Sequence, residues 1–379
     1  MKKYLRYPIG IIIILIISYN IWSAIGRKAP PRPIEETCTT EQEVLGADSG
    51  RGSLIGIQPK LSPIDFANET NFFNKIDSYL KEAEHAKYFT DRTVVVFPEY
   101  IGTWLVVVDE KEAIYTAPKL ETAMKLMIAS NIGNFLISYA TAPKLKDKTA
   151  YSLFAMKAQQ MAAIYHRTFS KLANKYQVTI VAGSILLPNP ELKNNLLITS
   201  SGDLYNTTVV YQPKGIAYPQ LIKKVFPTSD EQPFTTQGKL ADIPVFPLPI
   251  GNTAVIICAD SWFPETYQHL DKQNTEVIIV PSYCSKENSW SQIWQGYSGY
   301  NLPNDVEKTD IGTITEEQAW LKYSMVERIK TTKAKVGINV FLRGQLWELG
   351  SDGFPLLVKD GKPIQGARVR GASIICLWL

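Results

Sequence analysis

Residues 254–265 read AVIICADSWFPE, and this stretch decides which architecture the rest of the sequence has to fit. It begins with four apolar residues, which is typical of a strand buried on both faces in an α/β sheet. Cys258 ends the run, and Asp260 or Ser261 can cap a helix that we expect to begin just after it. A helix N-terminus stabilises a thiolate, and its backbone N–H groups can bind an oxyanion. Cys258 is therefore a candidate nucleophile, although a buried cysteine with only a packing role fits the same pattern.

Two further segments carry groups that can serve such a thiol. The strand candidate TVVVFPE, residues 93–99, ends on Glu99, and α/β sheets usually carry their chemistry at this end of a strand. The stretch YPQLIKKVFPTSDE, residues 218–231, contains Lys223 and Lys224. Because neighbouring strand residues face opposite sides, one lysine should point inward, where a buried ammonium needs a carboxylate partner. Taken alone, each segment also fits a solvated surface.

Strand candidates alternate with helical stretches from residue 53 onward. Helical patterns cover 69–87, 152–176 and 315–334; strand candidates cover 53–58, 93–99, 178–186, 254–260, 275–282, 337–344 and 372–379. Residues 194–212 indicate a hairpin that turns at Ser201-Gly202-Asp203. This alternation predicts an α/β fold with buried sheets. Since no repeat or internal boundary is visible, we predict one domain over residues 53–379.

The first residues have a different character. Residues 7–26 contain no charged side chain and include the run IGIIIILII, and about 20 apolar residues as a helix match a bilayer core of roughly 30 Å. The basic residues before this run also suit a signal peptide, but Trp22 stands where a small residue is wanted before a cleavage site. We therefore predict a transmembrane anchor within residues 1–26, with a cleaved signal peptide as the alternative.

A polar tether is predicted between this segment and the domain. Residues 27–52 contain three prolines and no periodic apolar pattern. Basic residues flank the apolar segment equally on both sides, so their distribution does not orient it. The usual behaviour of signal anchors favours a single-pass membrane protein with an extracytoplasmic catalytic domain. Cys38, in the tether, could form a disulfide outside the cell.

Composition argues against several classes of function. The net charge is +4 over 379 residues, and the basic residues are scattered among acidic ones, so no nucleic-acid partner is expected. The three histidines and four cysteines show no metal-ligand spacing, no CxxC pair and no dense disulfide framework. We expect no metal, and thiol chemistry remains open.

In their order along the chain, FPE at 97–99, KVFPTSDE at 224–231 and CADSWFPE at 258–265 resemble the three boxes of the nitrilase superfamily of carbon–nitrogen hydrolases. The similarity extends from about residue 53 to about residue 360. It implies an α/β fold of the nitrilase type, a four-layer αββα sandwich. Lys224 has the spacing to the following proline and glutamate that the nitrilase branch shows, whereas Lys223 suits branches with a longer box.

The resemblance also implies an activity. The protein would hydrolyse a non-peptide carbon–nitrogen bond, in an amide or a nitrile, through a thioester on Cys258, and it would need no cofactor. Glu99 would act as general acid and base, and Lys224 would stabilise the tetrahedral intermediate. Glu231 matches a second glutamate that positions the catalytic groups in relatives, and Asp260 and Asn206 are expected to hold the fold around the site. Relatives commonly form homodimers.

Pocket shape and acceptor stay open at this stage. Aromatic residues after the catalytic strands can line the pocket or belong to the core; they are Tyr100, Trp104, Tyr283 and Trp290. Ala259 stands where many relatives carry an aromatic residue. One alternative is an N-acyltransferase with the same triad, although those enzymes carry several transmembrane helices. The other is an inactive scaffold tethered to a membrane.

Overall fold

A computed structural model of the protein describes residues 6–27 and 40–379. In these residues the α-helices, α1 to α9 in chain order, are Arg6–Ala24, Glu69–His85, Glu112–Tyr115, Leu120–Ser130, Ile132–Thr141, Lys148–Tyr176, Pro264–Lys272, Glu316–Tyr323 and Met325–Arg328. The strands, β1 to β19, are Glu41–Leu45, Ser53–Gln58, Lys60–Leu61, Val94–Val96, Thr179–Pro188, Glu191–Lys193, Leu196–Ile198, Leu204–Tyr211, Ile222–Lys223, Val245–Leu248, Gly251–Val255, Val277–Ser282, Cys284–Ser285, Val336–Phe341, Arg343–Gly344, Ser351–Asp352, Leu356–Lys359, Lys362–Gln365 and Ser373–Trp378.

Two large sheets lie at the centre of the domain. The first has the strand order β1-β19-β2-β4-β5-β8-β9, and the second has the order β10-β11-β12-β14-β17-β18. In the first sheet β2, β4 and β5 run parallel, and in the second β11, β12 and β14 run parallel. Parallel neighbouring strands must be joined by a crossover connection. In the first sheet the crossovers contain α2 and α6; in the second sheet one contains α7 and the other contains α8 and α9.

Alternate residues of β2 show how the layers stack. Leu54 shares a core with Ile338 and Val340 of the second sheet, whereas Ile55 shares a core with residues of α2 and α6. A Cβ at Gly56 would lie 2.7 Å from Val340 Cγ1, so the two sheets approach closely there. Helices α7, α8 and α9 contribute to the core of the second sheet. The result is the four-layer αββα arrangement that the sequence predicts.

Part of the predicted tether belongs to the first sheet. Strand β1 pairs in parallel with β19 at the edge of that sheet. The hydroxyl of Tyr88 donates a hydrogen bond to the side chain of Gln42 at 3.0 Å. Most side chains of β1 are exposed, which explains why the segment has no apolar periodicity to reveal a strand. Residues 28–39 of the tether, with Cys38, lie outside the described residues.

The predicted hairpin over residues 194–212 is wrong in its pairing. Strand β7 pairs with β6, and β8 pairs antiparallel with β5 in the first sheet. The β6–β7 turn is formed by Asn194 and Asn195, whose φ angles are +51° and +60°. A two-residue hairpin turn of this kind needs two positive φ angles, which asparagine tolerates. The predicted helix 315–334 is likewise divided, because Ser324 interrupts it between α8 and α9.

The transmembrane helix predicted within residues 7–26 is not supported. Across residues 6–27 and 40–379, no helix combines the length and the hydropathy that a membrane span requires. Helix α1 does form there, but its exposed aliphatic run extends only from Ile11 to Ile17, about 10 Å of helix. The chain beyond α1 is tied to the domain by an ion pair of 3.0 Å between Arg27 and the buried Glu110.

Gly183 allows β5 to pass against the turn that carries Glu99. Its φ is +66°, and a Cβ added there would lie 2.1 Å from the carbonyl oxygen of Pro98. The register of β5 against β8 shifts between Val181 and Ser184, so Gly183 sits in a bulge. The backbone N–H of Ser184 donates to that same Pro98 carbonyl at 3.3 Å.

Gly183→Ala should therefore destabilise the domain. We expect the free energy of unfolding in urea to fall by about 3 kcal/mol, because a contact with backbone cannot be relieved by rotating a side chain. Gly133→Ala is the matched control, since a Cβ on this exposed residue of α5 meets nothing within 4 Å. It should be neutral or stabilise by up to about 1 kcal/mol. Equal urea midpoints for the two variants would contradict this role of Gly183.

Candidate active site

The turn after β4 delivers Glu99 into the interior. Glu99 is 1% exposed. The next residue, Tyr100, has a φ of +64°, and its backbone N–H donates to the hydroxyl oxygen of Ser184 at 2.9 Å. Strand β5 therefore holds the turn from one side and fixes where the Glu99 carboxylate points.

Lys224 follows β9 and meets two carboxylates. Its Nζ donates to Glu99 Oε1 at 2.8 Å and to Glu231 Oε2 at 2.6 Å, and all three side chains are buried. The other candidate, Lys223, places its Nζ 4.0 Å from the ring centroid of Tyr205. The alternation expected of a strand therefore turns Lys224 towards the carboxylates and Lys223 away from them.

Asn206 and Tyr100 complete the network around the lysine. The side-chain amide of Asn206, on β8, donates to Glu99 Oε1 at 2.9 Å and to Glu231 Oε1 at 3.0 Å. The hydroxyl of Tyr100 donates to Glu231 Oε1. Glu231 also accepts from the backbone N–H of Thr228 at 2.8 Å. The sequence predicts that Asn206 holds the fold around the site and that Tyr100 can line the pocket. It does not predict their hydrogen bonds to the two carboxylates, because these join residues that are distant in sequence.

Cys258 follows β11, the strand next to the edge strand β10 in the second sheet. It adopts a φ of +48°, and its Sγ lies 4.0 Å from the carbonyl oxygen of Tyr283. The Asp260 carboxylate accepts from the backbone N–H groups of Val225 at 2.9 Å and Phe226 at 2.7 Å. Asp260 thus binds the segment with Cys258 to the segment with Lys224.

The prediction of an α-helix directly after Cys258 is wrong, both in the type of helix that forms there and in the residue at which the next α-helix begins. Cys258–Trp262 forms a short 3-10 helix, and α7 begins only at Pro264. Neither Asp260 nor Ser261 caps an α-helix. The Asp260 carboxylate instead accepts from the backbone N–H groups around it, and the Ser261 hydroxyl donates to the carbonyl of Cys258 at 2.7 Å. A turn of five residues has a small dipole with which to stabilise a thiolate.

The electrostatics of the site keep the thiol protonated. Burial and the neighbouring Glu99 carboxylate raise the pKa of Cys258 well above its usual value, against the opposing charge of Lys224. Burial also raises the pKa of Glu99, although the charge of Lys224 opposes this. Burial lowers the pKa of Lys224, but Glu231 and Glu99 outweigh it and hold that pKa well above its usual range. These shifts favour a neutral thiol beside an ammonium, without the thiolate stabilisation that the N-terminus of an α-helix would supply.

Two adjoining cavities share the wall that contains Cys258. The larger, about 580 Å³, is also lined by Glu99 and Lys224. Of the aromatic residues proposed for the pocket, Tyr100 and Trp104 line this cavity and Tyr283 lines both. Trp290 lies in the core, with its ring centroid 5.2 Å from that of Phe341, and is on neither wall. The smaller cavity, about 180 Å³, has aromatic walls formed by Trp262, Trp294, Tyr297 and Trp320.

Comparison with known proteins extends these observations. The sequence profile described as carbon–nitrogen hydrolase matches residues 54–300. Deaminated glutathione amidases from two strains of Synechocystis sp. PCC 6803 are 26% identical over 150 residues, a match covering 36% of this chain and 52% of theirs. The chain thus spans about half the length of the curated relatives it matches.

Solved structures with a similar fold include an amidase from Nesterenkonia sp. AN1. One structure of that amidase has a TM-score of 0.53 at 11% identity, and the match covers 86% of this chain and 92% of that chain. A mutant of the same amidase in complex with butyramide has a TM-score of 0.52 at 12% identity, covering 86% and 89%. At such low identity these likenesses show the fold alone.

The αββα sandwich and its structural neighbours define a fold of the nitrilase type. Because the family profile covers most of the domain, the chain belongs to the carbon–nitrogen hydrolase family.

The two lysines allow a matched test of the buried network. Lys224→Met leaves Glu99 and Glu231 buried without their cation, which should cost about 3–5 kcal/mol of unfolding free energy near pH 8. Two facing carboxylates raise each other's pKa above the unfolded value near 4.5, so the folded variant binds a proton more tightly than the unfolded chain. The loss of unfolding free energy in Lys224→Met should therefore grow as the pH rises from 5 to 8 and shrink towards pH 5.

Urea denaturation of the wild type, Lys224→Met and Lys223→Met at pH 5 and pH 8 measures this. Lys223→Met serves as the control and should lose less than about 1 kcal/mol at either pH, since it breaks only a partly exposed contact with an aromatic ring. A Lys224→Met deficit of the same size at both pH values would mean that the two carboxylates are not coupled through this lysine.

Proposed function

We propose that the protein hydrolyses a small-molecule amide through a covalent thioester on Cys258. The observation that carries the proposal is the buried Lys224, which binds Glu99 and Glu231 in the wall of the cavity that also contains Cys258. Membership of the carbon–nitrogen hydrolase family supports the same chemistry. The amidase names of its relatives favour an amide over a nitrile.

The first half-reaction forms the thioester. Glu99 accepts the thiol proton while Cys258 Sγ attacks the carbonyl carbon, so a free thiolate need not accumulate. Negative charge develops on the carbonyl oxygen, and the ammonium of Lys224 stabilises it; a donor of this kind is worth about 3 kcal/mol. Glu99 then passes its proton to the nitrogen as the carbon–nitrogen bond breaks, and the amine or ammonia leaves.

The second half-reaction regenerates the enzyme. Glu99 accepts a proton from water as its oxygen attacks the thioester carbonyl, and the Lys224 ammonium again faces the developing charge. The carbon–sulfur bond breaks, the thiol recovers the proton from Glu99, and the carboxylic acid departs. The raised pKa of Glu99 suits a group that must both accept and donate a proton in each half-reaction. Glu231 and Asn206 act as positioning residues, because they hold Lys224 and Glu99 in place.

The test uses the full-length protein and a panel of primary and N-substituted amides, with release of ammonia or amine as the readout. The wild type should turn over at least one of them, and Cys258→Ala should fall to background. Cys376→Ala is the matched control, since Cys376 is a buried thiol of β19 that lines neither cavity. It should retain activity.

Mass spectrometry with fluoroacetamide then locates the nucleophile. We expect an added acetamide group on Cys258 and none on Cys284, the other free thiol in the cavity walls. Modification of Cys284 alone would contradict the proposed mechanism. Transfer of the acyl group to an added amine, with no acid formed, would identify the N-acyltransferase; an inert Cys258 with no turnover would favour the scaffold.

We also infer that the protein is held at an anionic membrane surface by α1 and α5. Ile11–Ile17 of α1 are each at least 51% exposed, and Leu136 and Ile137 of α5 are 56% and 66% exposed. The two helices are joined, because the backbone N–H of Ile132 donates to the hydroxyl of Tyr19 at 3.0 Å.

Positive charge borders this apolar surface. Lys144 and Lys146 are exposed in the segment between α5 and α6, where they can face anionic headgroups. Exposed apolar side chains flanked by lysines are typical of helices that lie in a membrane interface. The extracytoplasmic location of the catalytic domain stays a prediction.

Flotation of full-length protein with vesicles of phosphatidylglycerol and phosphatidylcholine tests this surface. The wild type should float with the anionic vesicles, and a Leu136→Asp, Ile137→Asp double variant should bind at least tenfold more weakly. Leu196→Asp is the control, because Leu196 is equally exposed at 56% on β7, outside this surface. If the protein does not bind the vesicles but forms dimers that the double variant disrupts, the surface would instead be the binding site for a second copy of the chain.

A further inference from the structure

Glu316 introduces a carboxyl group that the reaction itself does not use. It is the first residue of α8, and its backbone N–H donates to the carbonyl of Gln292 at 2.8 Å. Its side chain lines both cavities that adjoin Cys258. Among the residues that the structure describes, no lysine, arginine or histidine forms an ion pair with it. Glu99 and Glu231, in contrast, share Lys224.

Aromatic rings surround the space beside Glu316. Trp262 is central: its ring centroid lies 4.8 Å from that of Trp320, 6.0 Å from that of Trp294 and 5.6 Å from that of Tyr297. All four residues line the smaller cavity together with Glu316. Aromatic faces attract cations, and the attraction is stronger where water is excluded. When it is ionised, the Glu316 carboxylate adds a negative charge to the same enclosure.

The two cavities can hold different parts of the substrate. Glu99, which must protonate the leaving nitrogen, lines the larger cavity and is absent from the walls of the smaller one. The leaving group therefore occupies the larger cavity, and the acyl chain extends from Cys258 into the smaller one. A volume of about 180 Å³ admits a short chain with one compact head group.

We propose that the smaller cavity selects amides whose acyl chain ends in an ammonium or quaternary ammonium group, with Glu316 as the residue that determines this specificity. The inference rests on the proposed amide hydrolysis, because it assigns the acyl side of that substrate. Burial raises the pKa of Glu316 to about 7, so a bound cation would also favour its ionised form.

Three amides of matched length separate the two proposals: 5-aminopentanamide, hexanamide and the monoamide of adipic acid. The wild type should show a kcat/KM for the cationic amide at least 30-fold above that for the neutral one. Glu316→Gln should reduce this ratio to below about threefold, and Glu316→Lys should invert the preference towards the anionic amide. Glu317→Gln is the matched control on the next residue, whose side chain forms an ion pair with Arg368, and it should keep the wild-type ratio.

A binding measurement removes the dependence on turnover. Tetramethylammonium should quench tryptophan fluorescence saturably in the wild type and in Cys258→Ala, and Glu316→Gln should weaken this binding at least tenfold. Turnover of hexanamide without preference for the cation, and no saturable quenching, would overturn the role of Glu316 while leaving amide hydrolysis intact. Saturable quenching with no turnover of any amide would overturn the hydrolysis and leave the cation site standing.

Discussion

The burial of one ammonium group between two carboxylates is the constraint on which the site depends. Removing Lys224, Glu99 and Glu231 from water is costly, and their mutual attraction offsets the cost only when geometry is good and the remaining acceptors are satisfied. Asn206, Tyr100 and Thr228 supply those hydrogen bonds from three different parts of the chain. The surrounding fold is therefore organised to bring donors to this group, and the neutral thiol of Cys258 is the member that adds no charge to it.

The strands that carry the site could be predicted from the sequence because each is identified by a pattern within a few consecutive residues. Four consecutive apolar residues before Cys258, and the valines before Glu99, have a pattern that is typical of a buried strand. The choice of Lys224 over Lys223 followed from box spacing, and strand alternation accounts for it in the structure, where the two side chains face opposite ways. The alternation of strands and helices therefore sufficed to predict an α/β fold, and the resemblance of the three boxes to the nitrilase superfamily supplied the αββα arrangement and the residues that meet at its centre.

What could not be predicted depends on contacts distant in sequence. Asn206 is expected from the sequence to hold the fold around the site, but its position between Glu99 and Glu231 follows from the pairing of β8 with β5. That pairing was itself mistaken for a local hairpin, because the turn at Asn194 and Asn195 lies earlier than the more obvious glycine turn. Nothing in the sequence identified Glu316 as a residue of the site, since a glutamate in the first turn of a helix is ordinarily explained by the helix dipole.

The groups of the proposed reaction follow strands of different sheets, and this affects how the site is assembled during folding. Glu99 and Lys224 follow strands of the first sheet, whereas Cys258 follows a strand of the second. Asp260 joins the two halves through backbone groups of Val225 and Phe226. A chain that has folded only one sheet thus holds either a base without a nucleophile or a thiol without a base. The complete set of groups is therefore assembled only when the two sheets pack against each other, and not when either sheet forms alone.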